Sequence, residues 1–244
     1  MSRIAVVTGA GSGVGRAVVI ELAKRGFAIA LVGRRQEPLN ETIALAHSRE
    51  RKLAVSCDIG DPADVERMAA RVRSELGDPT IVVNSAGTNI AKRALAELTV
   101  EDYRRVIDIN LNGAFLVTHA FLPGMRKRGD GQGGGTIVHI ISDAGFTANR
   151  ISGAAYIASK FGLVGLTATI NVEERNNGIR ATAILPGEIN TPLLDRRPVP
   201  PPQEARTKML QPEDVAACVM LAIDLPQRAV VEQLLVRPRE TRIT

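Results

Sequence analysis

The chain has 244 residues, 45% hydrophobic and 23% charged, which suits one α/β domain with a substantial core. Its net charge of +5 raises the question of acidic partners, but 3% aromatics and no Trp leave few stacking platforms, and the basic residues are scattered apart from short clusters. This argues against a nucleic-acid partner. No apolar run approaches the roughly 20 residues needed to span a bilayer, and no charged-then-apolar leader precedes Ile4, so a cytoplasmic chain without a membrane partner is expected.

Arg3 to Thr8 reads as a buried strand, followed by Thr8-Gly9-Ala10-Gly11-Ser12-Gly13-Val14-Gly15 and a helix over Val14 to Arg25. Strand, glycine-rich turn and helix in that order form the context in which such a loop binds phosphate. Glycines admit the anion to the backbone, and the helix N-terminus offers free N–H groups and a positive dipole end. Phe27 to Val32 is a second strand, ending at Gly33-Arg34-Arg35. Dinucleotide folds usually carry a ribose-binding acid about 20 residues past the loop; here Gly33 and two arginines stand in that region. A cationic fork suits a 2′-phosphate, so NADP(H) is favoured over NAD(H), with Arg34 the first choice and Arg35 the second; a solvated basic loop is the alternative.

Asn40 to Arg51 is amphipathic, and Lys52 to Ile59 forms a third strand ending in Cys57-Asp58-Ile59, where Asp58 either meets adenine or caps the helix beginning near Pro62. Asp64 to Leu76 is that helix, Gly77-Asp78-Pro79 a turn, and Thr80 to Val83 a fourth strand running into Asn84-Ser85-Ala86-Gly87. Thr99 to Arg128 reads as one long helix, with Asn110 in an apolar neighbourhood and Pro123 kinking it near its end. A glycine-rich turn at Asp130 to Gly135 precedes a fifth strand, Thr136 to Ile141, with Ser142 at its carboxyl end. A helix from Tyr156 to Asn176 and a sixth strand, Ile179 to Leu185, follow. Asp195 to Thr207, rich in proline, excludes regular helix, Pro212 to Leu225 is a final helix and Val230 to Val236 a last strand. Strands alternating with helices at this rhythm argue for one doubly wound parallel sheet. Cys57 and Cys218 belong to no metal-ligand spacing and read as two buried thiols of a reducing compartment; no metal site is expected.

Tyr156-Ile157-Ala158-Ser159-Lys160 places a phenol and an ammonium four apart on one helix face. A phenol with a free pKa of about 10 is a poor proton donor or acceptor near neutrality. Lowering it by roughly 2 to 3 pH units needs about 3 to 4 kcal/mol, which one ammonium about 4 Å away supplies at an effective dielectric near 20. An ordinary amphipathic pair has the same spacing.

Taken together, the glycine-rich loop, Asn84-Ser85-Ala86-Gly87, Asn110, Ser142, Tyr156-Ile-Ala-Ser-Lys160 and Pro186-Gly187-Glu188-Ile189-Asn190-Thr191 appear in an order that closely resembles the short-chain dehydrogenase/reductase family. The resemblance runs from Val6 to about residue 192. It implies a Rossmann-type fold of about seven parallel strands with helices on both faces, and NAD(P)-dependent interconversion of a small-molecule carbonyl and an alcohol. By the same resemblance, Tyr156 exchanges a proton with the substrate oxygen, Lys160 lowers the phenol's pKa and holds the nicotinamide ribose, and Ser142 bonds the substrate oxygen. Asn110 holds a water that links Lys160 to solvent. Thr8, Gly9, Ser12, Gly13, Val14 and Gly15 cradle the pyrophosphate, Asp58 and Ile59 flank adenine, and Asn84 and Gly87 pack along the adenosine. Pro186, Gly187, Ile189 and Thr191 belong to the nicotinamide end.

Three departures from the family pattern stand out. Ser85 replaces a usual second Asn, and Ser142 lies one residue farther from Tyr156 than is commonest, so the Phe146 to Gly153 loop is expected to bulge. Asp143 has the commoner spacing, but Ser142-Asp143-Ala144-Gly145 matches the local motif with Ser142. The C-terminus lacks the Gly-rich ending of tetrameric acyl-carrier-protein reductases and is more similar to serine- or 3-hydroxy-acid-type dehydrogenases. Substrate determinants are expected in Asp143 to Ile151 and in a variable loop at about 193–210. A 3-oxoacyl thioester reductase using Arg126-Lys127-Arg128, and a non-catalytic NADP-binding sensor, are the alternatives. A homodimer or homotetramer through the Thr99–Arg128 and Tyr156–Asn176 helices is what the resemblance implies.

Overall fold

Apolar runs become central strands here because both of their faces are covered. The structure, a computed structural model describing residues 3–127 and 134–240, contains β1 (Ile4–Thr8), α1 (Gly13–Lys24), β2 (Ala28–Gly33), α2 (Gln36–Leu45), β3 (Lys52–Ser56) and α3 (Pro62–Glu75) in its first part. There follow β4 (Ile81–Asn84), α4 (Val100–Ile107), α5 (Gly113–Lys127), β5 (Gly135–Ile140), α6 (Ala154–Glu174), β6 (Ile179–Pro186), α7 (Gln203–Arg206), α8 (Pro212–Asp224) and β7 (Gln233–Val236). The strands form one parallel sheet in the order β3-β2-β1-β4-β5-β6-β7. Alternate side chains serve opposite layers: Ala5 and Val7 of β1 pack with Val18, Leu22 and Val219 of α1 and α8, while Val6 packs with Met68, Val117 and Phe121 of α3 and α5.

The chain winds outward from β1 to β3, then returns to place β4 against the other side of β1, with Thr8 in register with Asn84. The connections leaving these two strands diverge to opposite faces, and the gap at their carboxyl ends is where an open α/β sheet admits a ligand.

Several boundaries differ from the sequence expectation. The second helix runs from Gln36 to Leu45 rather than from Asn40 to Arg51. Pro38 falls in its first turn, where an N–H has no intrahelical acceptor to lose, and Ala46 leaves helical geometry so that Lys52 can pair beside Ile29. β3 stops at Ser56: the Asp58 N–H turns to the Asp64 carboxylate at 2.7 Å, and Asp61, not Asp58, caps α3. The long helix begins as expected, with the Thr99 hydroxyl accepting the Asp102 N–H, but Asp108–Asn112 is a π turn between α4 and α5. The irregularity therefore lies well upstream of Pro123, at Asn110. Gln203–Arg206 is a short helix inside the stretch expected to lack one, because the prolines end at Pro202, which sits at its N-cap. Arg128 and most of the Asp130 to Gly135 turn lie outside the described residues.

The Val100–Lys127 helical run, α4 through α5, is long and apolar enough to cross a membrane by length and composition alone. Here it packs against the sheet, with Val106, Val117, Phe121 and Met125 fully buried.

Candidate active site

The glycine-rich turn is built by backbone proximity. A Cβ on Gly15 would lie 2.3 Å from the Gly9 carbonyl oxygen, and one on Gly9, at φ +66°, would lie 2.8 Å from Ala86 Cα. The loop is therefore pressed against both its own helix and the 84–87 segment. Ser12 stands at the N-cap of α1 in extended geometry without a side-chain bond into the helix, leaving the first-turn N–H groups for a ligand. Two adjoining hollows share Gly9, Ser12, Ala86 and Gly87. The smaller, about 190 Å³, is lined by Arg34, Arg35, Asp58 and Ile59; the larger, about 880 Å³, by Val14, Tyr156, Lys160, Pro186, Ile189 and Thr191, among others. A cradle that a single Cβ would fill, joining a cationic hollow to a roomy one, fits a dinucleotide. Arg34 and Arg35 are exposed and make no ion pair among the described residues, and Gly33 removes any side chain between them and the cleft.

At the far end, α6 carries Tyr156 and Lys160, and the turn after β5 carries Ser142. Tyr156 is half-buried on the cavity wall, which Ser142 also lines. Lys160 is buried, donates from Nζ to the Ile140 carbonyl at 3.2 Å and lies 5.4 Å from the Tyr156 ring centroid. The Ser142 hydroxyl accepts the Ala144 N–H at 3.1 Å and lies 3.3 Å from Asp143 Oδ1. Asn110 joins the group from the π turn: its Nδ2 donates to the Ser159 hydroxyl at 3.2 Å, and that hydroxyl donates to the Tyr156 carbonyl at 2.7 Å.

The electrostatics depart from the expected acidic phenol. Burial pushes Tyr156 up to about 12; the Ser142 side chain pulls it down, Asp143 pushes it up, and Arg93 and Arg197 pull it down. Burial also brings Lys160 down to about 8, so the ammonium itself is held only loosely in its charged form. Desolvation dominates at both groups, and Lys160 is not among the residues that pull the phenol down. The phenol is protonated at neutral pH.

Not every residue named from sequence faces these hollows. Thr8 is fully buried, and its hydroxyl accepts the N–H groups of Ser85 and Ala86, both at 3.1 Å, so it fastens the ends of β1 and β4 together. Asn84 points at α5, donating to Thr118 Oγ1 at 3.2 Å. Gly15 is needed for the turn rather than for the lining. Gly87 and Gly187 do line the hollows, and the Phe146 to Gly153 loop stands outward with Phe146 and Ile151 exposed. Arg126 is already engaged by the buried Glu174.

Sequence reading missed several supports. Arg16 donates to the Gly11 carbonyl at 2.6 Å and pairs with Glu41 at 2.8 Å, while Thr42 donates to the Ala10 carbonyl at 3.0 Å, so α2 holds the glycine-rich loop from behind. Thr88, Ser159, Arg93 and Arg196 were equally silent. Arg196 donates to Thr88 Oγ1 at 2.6 Å and Arg93 to the Arg196 carbonyl at 2.7 Å, tying the 192–197 turn across the cavity mouth. All but the Arg16–Gly11 contact join residues distant along the chain, whether from a helix, as with Arg16, Thr42 and Ser159, or from a loop, as with Thr88, Arg93 and Arg196, and periodicity reports no such partner.

Comparison with known proteins follows the same outline. Residues 3–199 match the family model described as short chain dehydrogenase. The chain is 34% identical over 254 residues to a sepiapterin reductase of Chlorobaculum tepidum, covering 98% of this chain and 97% of that protein. It is 32% identical over 236 residues to an uncharacterized oxidoreductase of Staphylococcus epidermidis, with 97% of each covered. Among solved structures, an alcohol dehydrogenase from the archaeon Thermococcus sibiricus, complexed with 5-hydroxy-NADP, superposes with a TM-score of 0.86 at 27% identity over 100% of both chains.

Proposed function

The chain belongs to the short-chain dehydrogenase/reductase family and is an oxidoreductase; from that premise we propose that it interconverts a carbonyl and a secondary alcohol on a small or medium substrate, with NADP(H) preferred to NAD(H). The observation that carries this reading is the Tyr156 phenol on the wall of the large cavity, which Ser142 and buried Lys160 also line.

A bound nicotinamide supplies or accepts the hydride; position and proton flow belong to the protein. Ser142 donates a hydrogen bond to the substrate oxygen and stabilises charge as it develops there. Tyr156 gives that oxygen its proton: the phenol, held near 12, is protonated at neutral pH, and the developing alkoxide, a stronger base than a phenolate, draws the proton from it. Lys160, whose Nζ is 5.4 Å from the centre of the ring, returns a proton and holds the nicotinamide ribose. Both Nδ2 hydrogens of Asn110 are engaged by protein, so a relay water falls to its second Oδ1 lone pair or its main-chain carbonyl. Gly9, Ser12, Gly13 and Val14 receive the pyrophosphate, Asp58 and Ile59 the adenine, Arg34 and Arg35 the 2′-phosphate, and Ile189 and Thr191 the carboxamide.

Phe115 and Phe161, exposed on α5 and α6, and Val172 farther along α6 are consistent with assembly of two or four copies through those helices. The test is a panel of carbonyls and alcohols assayed in parallel with NADPH and NADH. Turnover abolished by Tyr156→Phe, with dinucleotide binding retained, supports the reading; dinucleotide binding without turnover of any member points to a sensor instead.

A further inference from the structure

A guanidinium carries a permanent charge and five N–H donors, and burying it is costly unless an anion and hydrogen-bond acceptors meet it. Arg93, on the loop after β4, is 8% exposed and lines the large cavity. Nη1 donates to the Ile151 carbonyl at 3.2 Å and Nη2 to the Arg196 carbonyl at 2.7 Å. Its Nε is sealed from solvent and has no hydrogen-bond partner among the described residues. The stem is pinned by Gly153, where a Cβ would lie 2.6 Å from the Arg93 carbonyl oxygen.

No carboxylate on the cavity wall pairs with it among the described residues: Glu97 is exposed and Glu240 pairs with Lys208. Arg197 is paired with Glu188 at 2.7 Å and Arg237 with Asp143 at 3.4 Å, so those carboxylates already have cations. Arg150 is exposed. Arg197 opposes Arg93, and burial works against its charge in the same sense. A purely structural tie between the 146–153 loop and the 192–197 turn needs only the two Nη contacts. It does not account for a permanent charge left without an anion on a side chain that lines the cavity holding Tyr156.

We propose that the substrate carries a carboxylate that docks on the Arg93 guanidinium, with its reacting carbonyl turned toward Tyr156 and Ser142. The reaction is then reduction of an oxo acid to a hydroxy acid. The carbonyl carbon takes a hydride from the reduced nicotinamide and the oxygen takes the Tyr156 proton. The C=O π bond is replaced by C–H and O–H bonds, and the carboxylate is unchanged. This rests on the carbonyl–alcohol reading above and narrows it to acidic substrates.

The test compares short oxo acids with their methyl esters, such as acetoacetate and levulinate, in the full-length wild-type protein with NADPH. A charge-assisted hydrogen bond predicts roughly 10- to 100-fold higher kcat/KM for the acid, carried mainly by KM. Arg93→Gln should collapse that ratio by lowering the acid's kcat/KM far more than the ester's, and Arg93→Lys should restore part of it. Equal use of acid and ester by the wild type, or a ratio untouched by Arg93→Gln, overturns the proposal while leaving carbonyl reduction standing. If neither acid nor ester is turned over with NADPH or NADH, the carbonyl–alcohol reading rests on the wider carbonyl panel instead. Calorimetric titration with butanoate and butanamide then decides the acidic ligand alone: butanoate bound more tightly, with the excess lost in Arg93→Gln, upholds it, and equal binding removes it.

Discussion

Asn110 closes both backbone polar groups of Thr88: its Oδ1 accepts the Thr88 N–H at 2.7 Å and its Nδ2 donates to the Thr88 carbonyl at 3.0 Å. The contact mimics one rung of a sheet ladder, made by a side chain to the loop that leaves β4. It needs an amide at that depth, and the π turn at Asp108–Asn112 is what brings Asn110 there, since one residue is accommodated in excess of the helical repeat. The same side chain reaches Ser159, so the loop after β4, the π turn and α6 meet at one residue.

Asn110→Ala should therefore cost stability as well as activity. Two buried backbone groups lose their partners, at about 1 to 3 kcal/mol each if no water replaces the amide. Thermal or urea unfolding of the dinucleotide-free protein reads this directly; a melting temperature within one degree of wild type would show that the contact is not structural.

Lys160 gives stability a pH dependence of predictable sign. It is held at about 8 against 10.5 in the unfolded chain, so between those values the unfolded state binds the extra proton and stability rises with pH. Below pH 8 the ammonium is charged in both states and its burial is disfavoured by about 3 kcal/mol. Tyr156, raised to about 12, keeps its proton beyond the point where the unfolded phenol loses it, so its effect has the opposite sign and begins above pH 10. Between pH 8 and 10, wild type should gain about 2 to 3 kcal/mol relative to Lys160→Met. Parallel stability curves for the two proteins would refute this.

Arg34→Ala should weaken NADPH binding about 10-fold or more and leave NADH nearly unchanged, because one bidentate guanidinium–phosphate contact is lost only with the 2′-phosphate. Fluorescence titration with both dinucleotides measures it. Equal losses would mean that Arg34 serves the adenosine or nothing, and Arg35 would then be the next residue to change.

Gly165 lies inside α6 with nothing within 4 Å of where its Cβ would stand. Gly165→Ala should stabilise an isolated copy by about 0.5 to 1 kcal/mol through helix propensity. Sedimentation and melting together make the result informative: a destabilised protein with altered association would show another copy packed closely against that glycine.

The sequence determined the sheet, its parallel winding and the order of the motifs, because these rest on local periodicity and on turn chemistry that neighbouring residues impose on one another. Of the four catalytic candidates it named, Ser142, Tyr156 and Lys160 line the cavity and Asn110 sits outside its lining, in the π turn. Boundaries such as Gln36–Leu45 and the π turn at Asn110 escaped it, since a helix ends or bulges where tertiary partners demand. Only the assembled structure decided that Thr8 and Asn84 turn inward, that burial holds the Tyr156 phenol up near 12, and that Arg93 is left buried with a donor unmet among the described residues. Desolvation and long-range contacts depend on what surrounds a side chain in space, and no spacing along the chain encodes that.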